Sequence, residues 1–333
     1  TFLLNCPWDA QGLEEHLPGQ VKAYIAQHHI KFYTIDGIKI GKEIGLGGRI
    51  NTVLQSAFFK LAAIIPEETA IELMKAAAKA TYGKKGDKIV QMNYDAIDAG
   101  ATGVVKIDVP ASWKDAKDES FAQTATGDRK DVVDFVNDIQ IPVNAQEGNK
   151  IPVSVVKTYE HGQTPSGASA FEKRGIAVDV PVWNSANCIQ CNICSYVCPH
   201  AVIRPVAMDH TERQKAPSGM LSKDMRGAEK YQFAITVSVL DCTGCGTCAA
   251  CCPAKDKALV MEPTEKYYDY QKYYEYGRTI KEREELVEKF GLSSVKGSQF
   301  KQPLLEFHGA CAGCGETAYA KLATQLFGER MYI

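Results

Sequence analysis

Two runs of four cysteines constrain this chain more than any other feature. The first reads Cys188-x-x-Cys191-x-x-Cys194-x-x-x-Cys198-Pro199, and the pattern returns as Cys242-x-x-Cys245-x-x-Cys248-x-x-x-Cys252-Pro253. Three thiolates at three-residue spacing can wrap one face of an iron–sulfur cube, while the proline turn carries the fourth away to a second cube. The pattern predicts two [4Fe–4S] centres with crossed ligands. Centre A would take Cys188, Cys191, Cys194 and Cys252, and centre B would take Cys242, Cys245, Cys248 and Cys198. The competing reading is a pair of zinc sites, but zinc rarely uses interleaved spacing with a proline after each run. The 43 residues between Cys198 and Cys242 exceed what two cubes need, and are expected to form an embellishment packed on the host protein.

Tight C-x-x-C groups without an export signal favour metal ligation over disulfides. Of the 12 cysteines, Cys6 stands alone and Cys251 adjoins Cys252 without room in the same ligand set. Both read as small, inert, buried residues. Cys311-Ala312-Gly313-Cys314-Gly315-Glu316-Thr317 offers half of a four-thiolate site on a glycine-rich turn. By itself it leaves zinc, a redox dithiol and a cluster all open. His28-His29 has no partner cluster, which points to a surface or core role.

The rest of the sequence reads as several domains. Residues 1–115 predict a partial doubly wound α/β domain. Asp9 would cap a helix along Leu13, Leu17, Val21 and Ile25, interrupted by Pro18. A strand follows at Lys31 to Ile35, and a helix runs from Pro66 to Gly83 with Ile71, Met74 and Ala78 on one face. Gly45-Leu46-Gly47-Gly48 does not match a dinucleotide loop. Residues 116–150 read as an acidic connector with one short helix (Asp115, Asp118, Glu119, Asp128, Asp131, Asp134). Strand-like runs follow at Ile151 to Val156 and Ile176 to Val182, so 116–182 predicts a connector and a small β-containing domain. Residues 183–262 carry the cysteine runs. In 263–301, a tyrosine-dense belt at Tyr267 to Tyr276 precedes an exposed helix over 277–292. A last unit over 302–333 predicts a strand at Pro303 to Phe307, the Cys311 turn, and a helix from Thr317 to Phe327.

A net charge of −2 gives no case for nucleic acid as a partner. No apolar run reaches the roughly 18 residues of a membrane span, so no membrane partner is expected and the chain is expected to be soluble and cytoplasmic. Thr1 at the start and Met331 to Ile333 directly after a helix pattern suggest a stretch of a longer polypeptide.

Taken together, the two cysteine runs, Cys311 to Thr317, Phe171-Glu172-Lys173-Arg174-Gly175, and Asn93 to Ala96 after Lys84-Lys85-Gly86 resemble the single-chain pyruvate:ferredoxin (flavodoxin) oxidoreductase family. The resemblance covers essentially the whole chain and places it in the central portion of such an enzyme. It implies an α/β multidomain architecture. In order, there would be part of a coenzyme A-binding domain (1–115), a connector and Glu-Lys-Arg domain (116–182), a two-[4Fe–4S] ferredoxin-like α+β domain (183–262), a linker (263–301), and the start of a thiamine diphosphate-binding α/β domain (302–333). It also implies a third [4Fe–4S] cluster with Cys311 and Cys314 as its first two ligands. Glu316 would contact thiamine diphosphate, which comes with Mg2+, and Asn51 and Asn93 would contact coenzyme A. The family has proline after the Glu-Thr of the cysteine turn, where this chain has Ala318. The implied reaction converts pyruvate and coenzyme A to acetyl-coenzyme A and CO2, with ferredoxin or flavodoxin as acceptor and a homodimer as the working form. A sister enzyme for another 2-oxoacid and a stand-alone electron carrier are the alternatives. The residues preceding Cys188 argue against the carrier, which needs only the cluster domain.

Overall fold

Residues 1–117 and 124–332 are described by a computed structural model, and Asp118 and Glu119 of the expected acidic connector lie outside the described residues. The chain divides into two compact units, residues 1–122 and 123–333.

In the first unit, a short sheet sends Leu4 and Phe32 into one helix-lined core cluster and Leu3 and Ile35 into another. Strand β1 (Phe2–Asn5) pairs in parallel with β2 (Phe32–Ile35), Phe2 facing Phe32. The crossover between them is α1 (Ala10–His16) and α2 (Gly19–Gln27). Asp9 caps α1 by accepting the Gly12 amide at 2.9 Å. Pro18 splits the two helices, having no amide to donate. Helices α3 (Gly37–Ile44), α4 (Asn51–Ala62), α5 (Glu67–Tyr82) and α6 (Asp87–Thr102) follow. Strand β3 (Val105–Ile107) then pairs antiparallel with β2. The expected doubly wound sheet is therefore a small mixed one with a single parallel pair. Leu13, Ile25, Phe32 and Trp113 form one core cluster, and Ile35, Val53, Ala57 and Ala96 form another. Helices α4 and α6 approach so closely that a Cβ on Gly100 would lie 2.3 Å from the Val53 carbonyl oxygen. Ser56 uses the same proximity to donate to the Ile97 carbonyl at 2.6 Å.

The second unit opens with a helical piece: α7 (Lys130–Phe135), a π turn over Val136–Gln140, α8 (Ile141–Asn144) and α9 (Val153–Val156). Phe135, Val136 and Ala168 centre its core. The strand expected at Ile151 to Val156 is this α9 turn. Pro152 starts it, and Val153 is 83% exposed with no partner strand. The described residues 124–178 contain no strand, so this region is helical and not β-containing.

The second strand run does form, as β4 (Asp179–Trp183), and it belongs to the cysteine-bearing region. After it come α10 (Ile193–Tyr196), β5 (Ile203–Met208), α11 (His210–Lys215), β6 (Lys223–Asp224), β7 (Gln232–Val237), α12 (Thr247–Ala250) and β8 (Leu259–Pro263). β4 pairs antiparallel with β8, and β5, β7 and β6 form a second sheet in that order. The long insert between the cysteine runs supplies all three strands of that sheet. Its Met208, Met225, Phe233 and Ala234 are fully buried in the core of the cluster region.

The tyrosine belt packs over the core of the cluster region. Two short turns lead into α13 (Gln271–Thr279), and Tyr267, Tyr270, Tyr273 and Tyr276 recur every third residue against this core. Tyr274 is fully buried. The exposed helix expected over 277–292 is broken at 280–283: α13 ends at Thr279, and α14 (Glu284–Phe290) turns Leu286 and Val287 inward while Glu284, Glu285, Glu288 and Lys289 stay exposed. α15 (Val295–Ser298) follows, and α16 (Thr317–Phe327) has the predicted bounds. Pro303 to Phe307 forms no strand, because no neighbouring strand edge pairs with it.

Candidate metal centre

The two cysteine runs fold as near repeats. In each, the backbone turns left-handed two and four residues after the first cysteine, at Gln190 and Asn192 (φ 61° and 62°) and at Gly244 and Gly246 (φ 68° and 74°). These turns aim amides inward. Gln190 N donates to the Cys188 Sγ and Gly244 N to the Cys242 Sγ, each at 3.4 Å. A third such bond runs from Ala258 N to the Cys252 Sγ at 3.4 Å. The short helices α10 and α12 then present Cys194 and Cys248.

The fourth cysteines cross over. Cys252 comes together with Cys188, Cys191 and Cys194 around one apolar void, walled by Trp183, Phe233 and Leu259 among others. Cys198 comes beside Cys242, Cys245 and Cys248. Burial first, and then the neighbouring thiols Cys188 and Cys191, push the Cys194 thiol far up. Burial and Cys198 do the same to Cys248, and burial raises Cys242 to about 12. Without a bound cation these thiols stay protonated, so it is metal that converts them to thiolates.

The donor chemistry fits iron–sulfur cubes. Among the described residues, no three His, Cys, Asp or Glu side chains gather closely enough for a single ion, as zinc would require. Two buried donors in the cluster region, Trp183 Nε1 and Thr243 Oγ1, have no hydrogen-bond partner. A sulfide-rich group is one that amides and such donors can serve.

A buried cation lies between the two sets. Lys321, on α16, is 1% exposed. Its ammonium donates to the carbonyls of Ser195 at 2.5 Å, Tyr196 at 2.9 Å and Cys198 at 3.1 Å. It thereby caps α10 and ties the helix after the third cysteine pair onto the first run. Burial pushes its pKa down to about 8. Sequence reading missed this lysine, whose one signal was a charge on the apolar face of a helix pattern.

The third pair lies close to the second run. A Cβ on Gly313 would be 3.4 Å from the Cys245 Cβ. His308, just before the pair, meets the Pro199 carbonyl at 2.7 Å and stacks on His200 with ring centroids 4.8 Å apart. Cys311 is exposed and Cys314 half-buried. Amides of Thr317 and Glu316, at the start of α16, lower the Cys314 thiol. Glu316 itself is exposed.

Cys6 is buried as expected, and burial raises its thiol pKa. Cys251 is instead exposed. It follows the last residue of α12, whose inward face is used by Cys248, so the side chain is left to solvent. His28 and His29 end α2 at the surface. In the first unit, Asn51 and Asn93 line one open cleft, whose wall includes Phe59, Leu73, Met74 and Tyr82. Asn93 is 5% exposed and donates to the Ile89 carbonyl at 2.8 Å.

The family described as pyruvate ferredoxin/flavodoxin oxidoreductase matches residues 1–103. A 4Fe-4S dicluster domain matches 187–256, and EKR, a domain of unknown function, matches 123–177. The pyruvate-flavodoxin oxidoreductase of Enterobacter agglomerans is 50% identical over 333 residues. That of Klebsiella pneumoniae is 46% identical, and the pyruvate:ferredoxin oxidoreductase of Moorella thermoacetica 48%. Each alignment covers 100% of this chain but 28% of the relative. Over its whole length, the chain is similar to a portion of the much longer pyruvate:ferredoxin (flavodoxin) oxidoreductases.

Proposed function

We propose that the chain is the electron-conducting portion of an enzyme that converts pyruvate and coenzyme A to acetyl-coenzyme A and CO2, releasing two electrons and a proton. Ferredoxin or flavodoxin would take the electrons, as the relatives' names indicate for those proteins. The observation that carries the reading is the crossed gathering of eight cysteines with a third cysteine pair against Cys245. Cys188, Cys191, Cys194 and Cys252 would hold one [4Fe–4S] cluster, and Cys198, Cys242, Cys245 and Cys248 another. Cys311 and Cys314 would supply two ligands of a third.

Bound there, such clusters pass single electrons, which suits draining a two-electron oxidation one step at a time. The chain's own residues set the conditions. Amides of Gln190, Gly244 and Ala258 donate to ligand sulfurs, and hydrogen bonds of that kind favour the more reduced, more negative state. The Lys321 ammonium acts in the same direction on both sets. Trp183, Phe233 and Leu259 keep water from set A.

The cleft holding Asn51 and Asn93 would take coenzyme A. Its apolar wall suits a thiol-bearing aliphatic arm, and its amides suit the amide groups along such an arm. Thiamine diphosphate, arriving with Mg2+, would be met by Glu316 at the head of α16. The domain order proposed is the one implied by the resemblance, with 302–333 opening the thiamine diphosphate domain, and the working form is a cytoplasmic homodimer.

The test is anaerobic turnover by the full-length enzyme with iron counting. The reading expects about twelve irons per chain and pyruvate- and coenzyme A-dependent reduction of ferredoxin or flavodoxin. Turnover of 2-oxoglutarate in place of pyruvate would shift the assignment to a sister enzyme. Clusters that accept electrons with no 2-oxoacid turned over would leave only a carrier.

A further inference from the structure

We propose that the Glu172-Lys173-Arg174 segment is a brace that fixes the spacing between the second cysteine run and the third cysteine pair. It would thereby position two redox centres for electron passage. This rests on the function just proposed. No role is attached to the domain that contains the segment, which is described as of unknown function.

One ammonium serves both loops. Lys173 Nζ lies 2.7 Å from Asp241 Oδ2, and Asp241 directly precedes Cys242. That carboxylate is 6% exposed and also accepts the Ser238 hydroxyl at 2.5 Å. The same ammonium lies 4.8 Å from the centre of the Phe307 ring, four residues before Cys311. Cation–ring attraction strengthens when the pair is desolvated, and Phe307 is 5% exposed.

The neighbours of Lys173 repeat the pattern. Gly175 N donates to the Leu240 carbonyl at 2.8 Å, on the side of the second run. Arg174, paired with Glu172, reaches the other side. A Cβ on Gly309 would fall 2.9 Å from its guanidinium, so the approach to Cys311 passes tightly against it. Glu172, Arg174, Asp241, Thr243, His308 and Gly309 line one cleft between the loops.

Backbone strain marks the same contact from both sides. Lys173 has φ +40° and Phe307 φ +55°. Left-handed backbone at such residues persists only where the surroundings over-determine it, and it concentrates at functional clamps. A lysine needed for solubility or loose packing would not hold a left-handed backbone against an equally strained aromatic partner.

The experiment compares the full-length enzyme with its Lys173→Met variant and with the charge-swapped double variant Lys173→Asp/Asp241→Lys. Four quantities are read: iron per chain, spin–spin broadening between centres in the dithionite-reduced sample, the rate at which pyruvate reduces the first centre, and the rate of delivery to the acceptor. The brace predicts that Lys173→Met keeps its iron and its rate of first reduction. Its spin coupling weakens and delivery slows roughly tenfold or more, and the double variant recovers part of both. Unchanged coupling and delivery with all iron present would overturn the proposal. So would loss of iron, because the segment would then build a site and not space two of them. If the unmodified enzyme takes no electrons from pyruvate, the functional reading fails, and the spin coupling still decides the brace.

Discussion

The two cysteine runs share one spacing and are built differently around it. In the first, the two left-handed positions are Gln190 and Asn192, 1% and 2% exposed. Gln190 donates to the Asp224 carbonyl and accepts from Arg226 N, both at 2.8 Å, and Asn192 donates to the Lys296 carbonyl at 3.0 Å. In the second run the same positions are Gly244 and Gly246, and Cys245 is exposed. The first run is closed over by its own chain, and the second is open toward the Cys311 loop. Spacing suits the fit to a cube, while the residues between the cysteines decide what each centre faces.

The largest break in the comparison comes from the crossing. Cys198 lies in the first run but gathers with the second. Cys198→Ala is expected to cost about four irons and to erase the signal of set B while set A survives. Iron counting and EPR on the reduced full-length enzyme check this. Loss of set A instead would show that each run keeps its own fourth cysteine.

The openness of the second run predicts an order of damage. Under limited oxidation followed by thiol alkylation, Cys245 should be labelled several-fold sooner than the half-buried Cys191. Peptide mass spectrometry reads the order directly. Equal rates would mean that exposure of one ligand does not decide which centre fails first.

Lys321 bridges the halves, so removing it should disturb both. Lys321→Met leaves the carbonyls of Ser195, Tyr196 and Cys198 without their donor. Burying such groups unpaired costs about 1–3 kcal/mol. Loss of the cation should also lower the reduction potentials of both centres, since Cys194 and Cys198 lie beside it. Potentiometric EPR titration tests this, and a shift confined to one centre would show that the charge serves that side alone.

Much of this was legible because cysteine spacing, prolines and caps act locally. Asp9, Pro18 and the bounds of α16 follow from near neighbours in the chain. What could not be read depended on partners far away. Val153 to Val156 has strand-forming side chains but no edge to join, so Pro152 turns it into a helix. Tyr267, Tyr270, Tyr273 and Tyr276 did carry a helical spacing, but two interleaved tyrosines at 268 and 274 masked it. Lys321 and Lys173 find their acceptors 126 and 68 residues away. No local pattern announces such a pair.

The finest test of the comparison uses the two glycines. Both hold left-handed backbone, which costs a side-chain-bearing residue about 1–2 kcal/mol. They differ in room. A Cβ on Gly244 would lie 3.1 Å from the Asp179 carbonyl oxygen, whereas one on Gly246 meets nothing within 4 Å. Gly246→Ala should therefore cost only about 1 kcal/mol. Gly244→Ala should cost more, about 2 kcal/mol, because the amide that donates to the Cys242 Sγ is displaced as well. Thermal denaturation of the iron-loaded enzyme ranks the two. Gln190 shows that a side chain can occupy the equivalent position when its own hydrogen bonds hold it there. If Gly244→Ala proves as mild as Gly246→Ala, the openness of the second run is a matter of which side chains it lacks and not of how tightly its backbone is packed.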